Sequence, residues 1–172
     1  MAKIMGIINI TEDSYYAPSR ANGNSEILQR LTTLVEEGAD IIDFGACSTR
    51  PGSVPVELEK EWREIEQALK IFKTIYPGHL FSVDTFRSEI VRRCYENFGP
   101  FIVNDISAGE DDPQMLPIVG KLGLKYVAMH KRGTPETMQS LCDYDNVTQQ
   151  VIEYFRDFEK RAAQFGIFDW IL

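Results

Sequence analysis

Histidine and cysteine are scarce in this sequence of 172 residues. The two histidines are His79 and His130, and the three cysteines are Cys47, Cys94 and Cys142. The cysteine number is odd and no two cysteines form a C-x-x-C pair, so the sequence predicts neither a disulfide framework nor a His/Cys zinc site. We therefore expect free thiols and a reducing, cytoplasmic location.

Positive charge is scarce as well, because 18 Lys and Arg residues face 26 Asp and Glu residues, a formal net charge of −8. Such an acidic protein is not expected to bind nucleic acid or an anionic membrane surface. The first apolar run, residues 4–8, ends at Asn9 and is too short for a secretion signal or a membrane span. An anionic small substrate is not excluded, because a few local Arg and Lys side chains suffice to bind one.

Two nucleotide-binding motifs are missing, since the sequence contains no G-x-G pair and no G-x-x-x-x-G-K-[ST]. A dinucleotide-binding fingerprint and a P-loop are therefore excluded. The apolar fraction of 44% excludes intrinsic disorder. The length fits one domain, and we expect a single domain over residues 1–172.

Apolar runs of strand length recur six times, with amphipathic helical patterns between them. The runs are nearly continuous, which is typical of parallel strands that are buried on both faces. They are Ile4–Ile8, Ile41–Phe44, Leu80–Val83, Phe101–Val103, Leu124–Met129 and Trp170–Leu172. The predicted order is therefore strand, helix, strand, helix, repeated to the start of a sixth strand.

The second helical pattern is the clearest, with apolar residues spaced by four and three along one face. Its members are Leu58, Trp62, Ile65, Leu69, Phe72 and Tyr76. For the first helix, Ser25 is the predicted cap and Gly38 the predicted stop. The fourth helix is predicted to begin at Asp112 with Pro113. The third and fifth helices are predicted over residues 88–98 and Asn146–Phe165.

Most of the strands run into polar residues at their carboxyl ends. These residues are Asn9, Asp43, Asp84, Asn104 with Asp105, and His130. A barrel assembles its active site at this rim from several strands, whereas an open doubly wound sheet concentrates ligand groups at one switch point. The pattern favours an α/β fold, a (β/α)8 (TIM) barrel. Such a barrel needs about 250 residues, so we expect this chain to carry the first five βα units and the start of strand six, truncated at its C-terminal end.

The loop after the second strand contains Ser48, Thr49 and Arg50, followed by Pro51-Gly52. Hydroxyl groups, a guanidinium fork and a tight turn together are typical of a phosphate or diphosphate clamp. An ordinary turn before a helix is the alternative interpretation.

Asp84 and Asn104 follow neighbouring predicted strands. The Asp84 carboxylate could accept two hydrogen bonds from an amino-heterocycle, or it could cap the next helix. The Asn104 amide suits an N–H/C=N ligand edge, or it could form a turn. Because the two strand ends are adjacent, both side chains could contact one flat ligand.

The fifth and first loops hold further candidates. Met129 could pack on a flat ring, and His130 could act as a general base or serve a structural role. Lys131 and Arg132 add local positive charge or are simply solvated. The loop that begins at Asn9 is longer than usual, which indicates a lid, and Asn9 could bind a metal ion or a diphosphate oxygen.

Six segments in this order, all at predicted strand ends, resemble the dihydropteroate synthases of folate biosynthesis. They are Met5–Ser14, Gly38–Asp43, Ser48–Gly52, Ser82–Thr85, Asn104–Ser107 and Met129–Gln139. The resemblance covers nearly the whole chain. It implies a (β/α)8 barrel as the fold. It also implies a transferase activity that condenses 6-hydroxymethyl-7,8-dihydropterin diphosphate with 4-aminobenzoate and releases diphosphate.

The resemblance also implies roles for individual residues. Asp84 and Asn104 would hold the pterin edge, with Ile106 and Met129 flanking the ring. Asp84 and Arg50 would be the catalytic residues. Diphosphate and 4-aminobenzoate, the substrate with which sulfonamides compete, would be bound by Asn9, Thr49, Arg50 and Pro51. Mg²⁺ would be the cofactor, with Asn9 as its ligand, and the full-length protein would be a homodimer.

The sequence departs from the family pattern at Glu12, where proline is usual, and at Ala46-Cys47, where Gly-Glu is usual. Family residues from the later strands are absent, so we expect this chain alone to be inactive. Two alternatives remain. A methyltetrahydrofolate-binding module that passes a methyl group to a corrinoid protein does not need the clamp, so Arg50 discriminates against it. A non-catalytic pterin-binding paralogue would tolerate Glu12 and Cys47.

Overall fold

The computed structural model describes residues 2–10, 23–47, 56–134 and 137–172. In these residues, strands and helices alternate from the first element to the last. The elements are β1 (Met5–Asn9), α1 (Asn24–Glu36), β2 (Ile41–Gly45), α2 (Leu58–Ile75), β3 (Leu80–Asp84), α3 (Ser88–Phe98), β4 (Ile102–Asp105), α4 (Met115–Leu122), β5 (Lys125–Ala128), a 3₁₀ turn (Met138–Ser140), α5 (Val147–Ala163) and β6 (Trp170–Ile171).

The strands form one parallel sheet in the order β1-β2-β3-β4-β5-β6. In a doubly wound sheet the strand order reverses at a switch point, whereas here each strand lies beside the next one in the chain. Sequential order is the arrangement of a (β/α)8 barrel. The sheet is consistent with a partial barrel, as the polar strand ends predict.

The two faces of the sheet differ in what covers them. Ile8, Phe44, Val83 and Val103 lie opposite one another in register and are 0% exposed. They belong to the core that the sheet shares with the helices. Because strand side chains alternate, the next residue of each strand points to the other face. That second face carries Asn9, Asp84 and Asn104.

Helix α2 shows how the core is filled. Ile65, Leu69 and Phe72, from its predicted apolar face, are 0% exposed, and the Phe72 ring meets Phe44 of β2 edge-on at 5.3 Å between centroids. Complete burial of each such side chain stabilises the fold by about 1.5–3 kcal/mol. The spacing of apolar residues therefore predicted both the helix and the face that it buries.

The helix ends confirm part of the predicted signals. Asn146 caps α5, since its Oδ1 accepts the backbone N–H of Gln149 at 3.0 Å. Gly38 follows α1 with φ of 94°, a left-handed conformation that favours glycine. Ser25 is wrong as a cap, because Gly23 occupies the N-cap position of α1 and no side chain caps it.

Asp112 has a different role from the one predicted. Helix α4 begins at Met115, and Pro113 lies in the turn before it. One Asp112 oxygen accepts the backbone N–H of Gln114 at 2.9 Å, and the other accepts that of Ser88 at 2.7 Å. The carboxylate thus satisfies an open N–H at the start of α3, which has no cap of its own.

Gly120 of α4 permits close contact with the chain after α5. A Cβ atom at this position would lie 2.0 Å from the carbonyl oxygen of Phe165. We expect Gly120→Ala to lower the free energy of unfolding by about 1–3 kcal/mol, because backbone must move to relieve the overlap. Urea denaturation measures the change. Gly78→Ala is the matched control, since nothing lies within 4 Å of its Cβ position, and equal losses in both variants would contradict the prediction.

Candidate active site

Four residues meet in one row at the carboxyl ends of the first four strands. Asn9, Gly45, Asp84 and Asn104 are opposite one another in register across β1, β2, β3 and β4. Neighbouring strands lie about 4.8 Å apart, so the row is about 14 Å long. The prediction that Asp84 and Asn104 end adjacent strands is confirmed, and Asn9 lies at the same edge.

Gly45 makes room in the middle of this row. A Cβ atom there would lie 3.2 Å from Oδ1 of Asn9 and 3.5 Å from Oδ2 of Asp84. The absent side chain lets an amide oxygen and a carboxylate oxygen approach the same space. Sequence reasoning missed Gly45, although a glycine at the end of a predicted strand between two polar strand ends is a signal for close approach.

Asp43 lies one layer deeper than predicted. β2 continues beyond it to Gly45, so Asp43 does not end its strand. Its side chain is buried, and it accepts hydrogen bonds from Ser82 Oγ at 2.5 Å and from Asn104 Nδ2 at 3.1 Å. The carboxylate therefore connects three strands directly beneath the row.

Negative charge is concentrated at this edge of the sheet. Burial raises the pKa of Asp84 well above its ordinary value, and the nearby carboxylates of Asp43, Asp105 and Glu61 raise it further. Burial also raises the pKa of Asp43, while the hydrogen bonds from Ser82 and Asn104 lower it. A carboxylate in such surroundings favours a ligand that brings N–H donors, and strongly shifted pKa values are typical of functional sites.

The alternative interpretations, Asp84 as a helix cap and Asn104 as a turn residue, are wrong. The N-cap residue of α3 is Arg87, and the first N–H of that helix goes to Asp112 rather than to Asp84. The turn after β4 is formed by Asp105, not by Asn104. The Asp105 carboxylate accepts the backbone N–H groups of Ser107 at 2.7 Å and Gly109 at 2.9 Å.

Asp105 also holds the loop that carries Ile106. Its carboxylate accepts the hydroxyl of the buried Tyr126 at 2.5 Å, so the loop is tied to β5. Ile106 is half-buried on this loop, one residue after the strand. Met129 follows β5 and is 42% exposed, which leaves apolar side chain available at the rim. Sequence reasoning named Asp105 only as a polar strand end.

The residues after Met129 have structural partners. The His130 ring stands perpendicular to Tyr154, with centroids 4.7 Å apart, and nothing in its contacts indicates a general base. Lys131 is buried and pairs with Asp111 at 2.6 Å, so it is not a solvated charge. Arg132 donates to the backbone carbonyl of Asp143 at 2.7 Å.

The clamp residues Thr49, Arg50 and Pro51 lie outside the described residues, as do Ser48 and Glu12. The chain resumes at Val56, whose carbonyl oxygen accepts a hydrogen bond from Arg87 Nη2 at 2.6 Å. The other amino group of Arg87 pairs with Glu61, which is 0% exposed. Thr85 Oγ1 donates to the same carboxylate at 2.7 Å.

This cluster of Glu61, Thr85 and Arg87 connects α2 with the loop that follows Asp84, and sequence reasoning missed it. Its only local signal is the Thr-x-Arg that comes directly after Asp84. Nearby, Cys47 is half-buried, and burial raises the pKa of its thiol.

Within residues 2–10, 23–47, 56–134 and 137–172, no three His, Cys, Asp or Glu side chains form a group that could hold a metal ion. Mg²⁺ is often bound by one or two protein oxygens with substrate phosphates and water. A single amide oxygen such as that of Asn9 is compatible with this mode. None of the helices described is long and apolar enough to cross a membrane.

The sequential parallel sheet and the row of polar residues at its carboxyl edge are those of a barrel-type site. The family model for pterin binding enzymes matches residues 5–172, and the chain belongs to this family. Its relatives include the dihydropteroate synthase of Escherichia coli, which is 33% identical over 164 residues, covering 95% of this chain and 57% of the relative. A mitochondrial folate synthesis bifunctional protein of Pisum sativum is 36% identical over 171 residues, covering 97% of this chain and 33% of the relative.

Solved structures agree with the sequence relatives. The dihydropteroate synthase of Yersinia pestis, in a complex with a sulfonamide drug, superposes with a TM-score of 0.85 at 28% identity, covering 96% of this chain and 59% of that one. A Burkholderia cenocepacia dihydropteroate synthase complexed with 7,8-dihydropteroate gives a TM-score of 0.80 at 26% identity over 97% of this chain and 55% of that one. The chain spans little more than half the length of these synthases.

Proposed function

We propose that the whole protein is a dihydropteroate synthase, which joins 6-hydroxymethyl-7,8-dihydropterin diphosphate to 4-aminobenzoate and releases diphosphate. The observation that carries the proposal is the row of Asn9, Gly45, Asp84 and Asn104, in which one carboxylate and two amide side chains share one edge of the sheet. Residues 1–172 would belong to a single pterin-binding domain.

Pterin binding is the part of this activity to which the described residues contribute most. The Asp84 carboxylate would accept N–H groups of the heterocycle, which compensate for the burial and the neighbouring carboxylates that disfavour its ionisation. Asn104 would contact the same edge from the next strand. Ile106 and Met129 would pack against the ring, because both follow strand ends and keep exposed apolar surface.

In the reaction, the bond between the pterin methylene carbon and the diphosphate oxygen breaks, and diphosphate leaves with the electron pair. The dihydropterin stabilises the methylene cation, the nitrogen of 4-aminobenzoate attacks it, and a proton passes to solvent. Once pterin N–H groups offset the burial of Asp84, its carboxylate and those of Asp43 and Asp105 would favour positive charge on the pterin in the transition state.

The leaving diphosphate needs positive charge and donors. Arg50 and Thr49 would supply them, with Pro51 shaping the 4-aminobenzoate site. Asn9 would contact diphosphate or Mg²⁺, and the bound ion would neutralise charge on the leaving group. A homodimer and a cytoplasmic location belong to the same proposal, and the unpaired Cys47 and Cys94 thiols support a reducing compartment.

The test is a diphosphate-release assay on the whole protein with both substrates, beside calorimetric titration of pterin. We expect pterin binding and diphosphate release that depends on 4-aminobenzoate. Pterin binding without condensation would instead identify a non-catalytic paralogue. Methyl transfer from methyltetrahydrofolate to a corrinoid protein would identify the alternative enzyme. Failure to bind pterin would overturn the proposal.

A further inference from the structure

The side-chain amide of Asn104 can be oriented in two ways, because it carries a donor and an acceptor that exchange places when the amide flips. In isolation, such an amide accepts a ligand edge with either order of donor and acceptor. Recognition of one heterocycle over its isosteres therefore requires something that prevents the flip.

Asp43 supplies that constraint. Its carboxylate accepts a hydrogen bond from Asn104 Nδ2 at 3.1 Å. Its Oδ2 accepts this bond and its Oδ1 accepts the hydroxyl of Ser82, so Asp43 faces Asn104 as an acceptor and does not pair with the amide oxygen. The Nδ2 end of Asn104 must therefore point toward Asp43, and the Oδ1 end must point away from it.

Asp43 is itself held in place. It is 3% exposed, in the interior of β2, and its other oxygen accepts Ser82 Oγ at 2.5 Å from β3. Ser82 is 0% exposed. Burial raises the pKa of Asp43 above its ordinary value, and the two hydrogen bonds that the carboxylate accepts offset part of this effect. The carboxylate is thus a buried acceptor with a fixed direction.

We propose that Asp43 is a positioning and specificity-determining residue, which fixes the Asn104 amide so that it presents its oxygen and its second Nδ2 hydrogen to the ligand in one order. The inference rests on the proposed function, since it assumes that Asn104 contacts a pterin. Nothing in the row itself imposes this order, because Asp84 accepts hydrogen bonds through either oxygen.

Pterin and lumazine distinguish a fixed amide from a flipping one. On the edge formed by the 2-substituent and N1, pterin offers an amino donor beside a ring-nitrogen acceptor. Lumazine has an oxo acceptor beside an N–H donor, which is the reverse order. A fixed amide matches one order and leaves buried polar groups unpaired with the other, a mismatch that costs about tenfold or more in affinity.

The experiment is calorimetric titration of the whole protein with pterin and with lumazine, for the wild type, Asp43→Asn and Ser82→Ala. We expect the wild type to prefer pterin by about tenfold or more. In Asp43→Asn the new amide can donate or accept, so Asn104 can flip. The ratio of the affinities for pterin and lumazine should then fall toward one. Ser82→Ala is the matched control, because it removes one hydrogen bond of Asp43 but leaves a buried carboxylate in β2 that still accepts from Asn104, so the preference should be kept.

Each result has one meaning. A wild type that binds neither compound contradicts the proposed function. A wild type that prefers pterin, with the same preference in a folded Asp43→Asn, overturns the role of Asp43. If Asp43→Asn does not fold, hydrogen exchange at the Asn104 side chain of the wild type shows whether the amide is fixed. One slowly exchanging Nδ2 proton supports the inference, and two rapidly exchanging protons overturn it.

Discussion

Arg87→Met is expected to lower the free energy of unfolding by about 3–5 kcal/mol. Glu61 is 0% exposed, and its carboxylate is bound by Arg87 and by Thr85 Oγ1. Methionine fills similar space but carries no charge, so Glu61 would keep one neutral donor for a buried negative charge. The hydrogen bond from Arg87 to the carbonyl of Val56 is lost as well. Urea denaturation followed by circular dichroism measures the loss.

Two further variants distinguish the contribution of the buried Arg87–Glu61 pair to stability from the general effect of removing an arginine. Arg92→Met removes an arginine whose side chain is 43% exposed and whose partners are Glu89 and Glu96. Exposed pairs contribute about 0–1 kcal/mol, so its effect should be small. Adding Glu61→Gln to Arg87→Met removes the orphaned charge and should recover part of the stability. Equal losses for Arg87→Met and Arg92→Met would contradict this account of the pair.

Asp84→Asn is expected to weaken pterin binding by about 100-fold or more. A carboxylate that accepts N–H groups makes charge-assisted hydrogen bonds of about 1.5–3 kcal/mol each. Two of them correspond to a factor of at least about 100. The substituted amide also places a donor toward ligand donors. Calorimetric titration of pterin measures the loss, and unchanged affinity would contradict the placement of the ligand at Asp84.

The same substitution should make the protein more stable near neutral pH. The pKa of Asp84 in the folded protein is raised above its ordinary value, chiefly by burial and then by neighbouring carboxylates. Its contribution to stability is therefore complete at low pH and is lost as the pH rises through the folded-state pKa. Removing an ionisable group from such a site is expected to gain about 0.5–2 kcal/mol at pH 7.

The pH dependence is measured by urea denaturation of the wild type and of Asp84→Asn across a pH series. The gain should grow as the pH rises through the raised pKa and shrink toward acid pH, where both side chains are neutral. Asp157→Asn is the control, because the Asp157 side chain is 76% exposed and pairs with Lys160 at the surface. A gain at pH 7 that is equally large in the control would point to net charge rather than to the site.

The predictions that the structure bears out depend on local pattern. The four-three spacing along α2 identified the buried face of Ile65, Leu69 and Phe72 because helix geometry is the same wherever a helix packs. Asn146 was recognisable as a cap because its partner lies three residues away. The alternation of strands and helices is also local information, and it predicted parallel strands with sequential connections.

The contacts that sequence reasoning missed join residues far apart in the chain. Asp43 and Asn104 are separated by 61 positions and Glu61 and Arg87 by 26, yet each pair meets between neighbouring elements. Nothing in the sequence around Glu61 marks it as buried, since it is one of several glutamates on the same helix, of which Glu59 is exposed and Glu64 and Glu66 are only partly buried. Ser88 likewise takes its capping acceptor from Asp112, beyond the next strand.

The sequence by itself determined that Asp84 and Asn104 lie near the carboxyl ends of neighbouring strands, and therefore that they would be adjacent, since parallel strands present these ends at one edge. Only the tertiary structure decided the layer beneath them, where Asp43 lies inside β2 and bonds to Asn104, and where Gly45 leaves space between Asn9 and Asp84. The physical reason is that strand ends follow from local periodicity. Register, burial and the choice among several possible hydrogen-bond partners are settled only when separate strands and helices pack together.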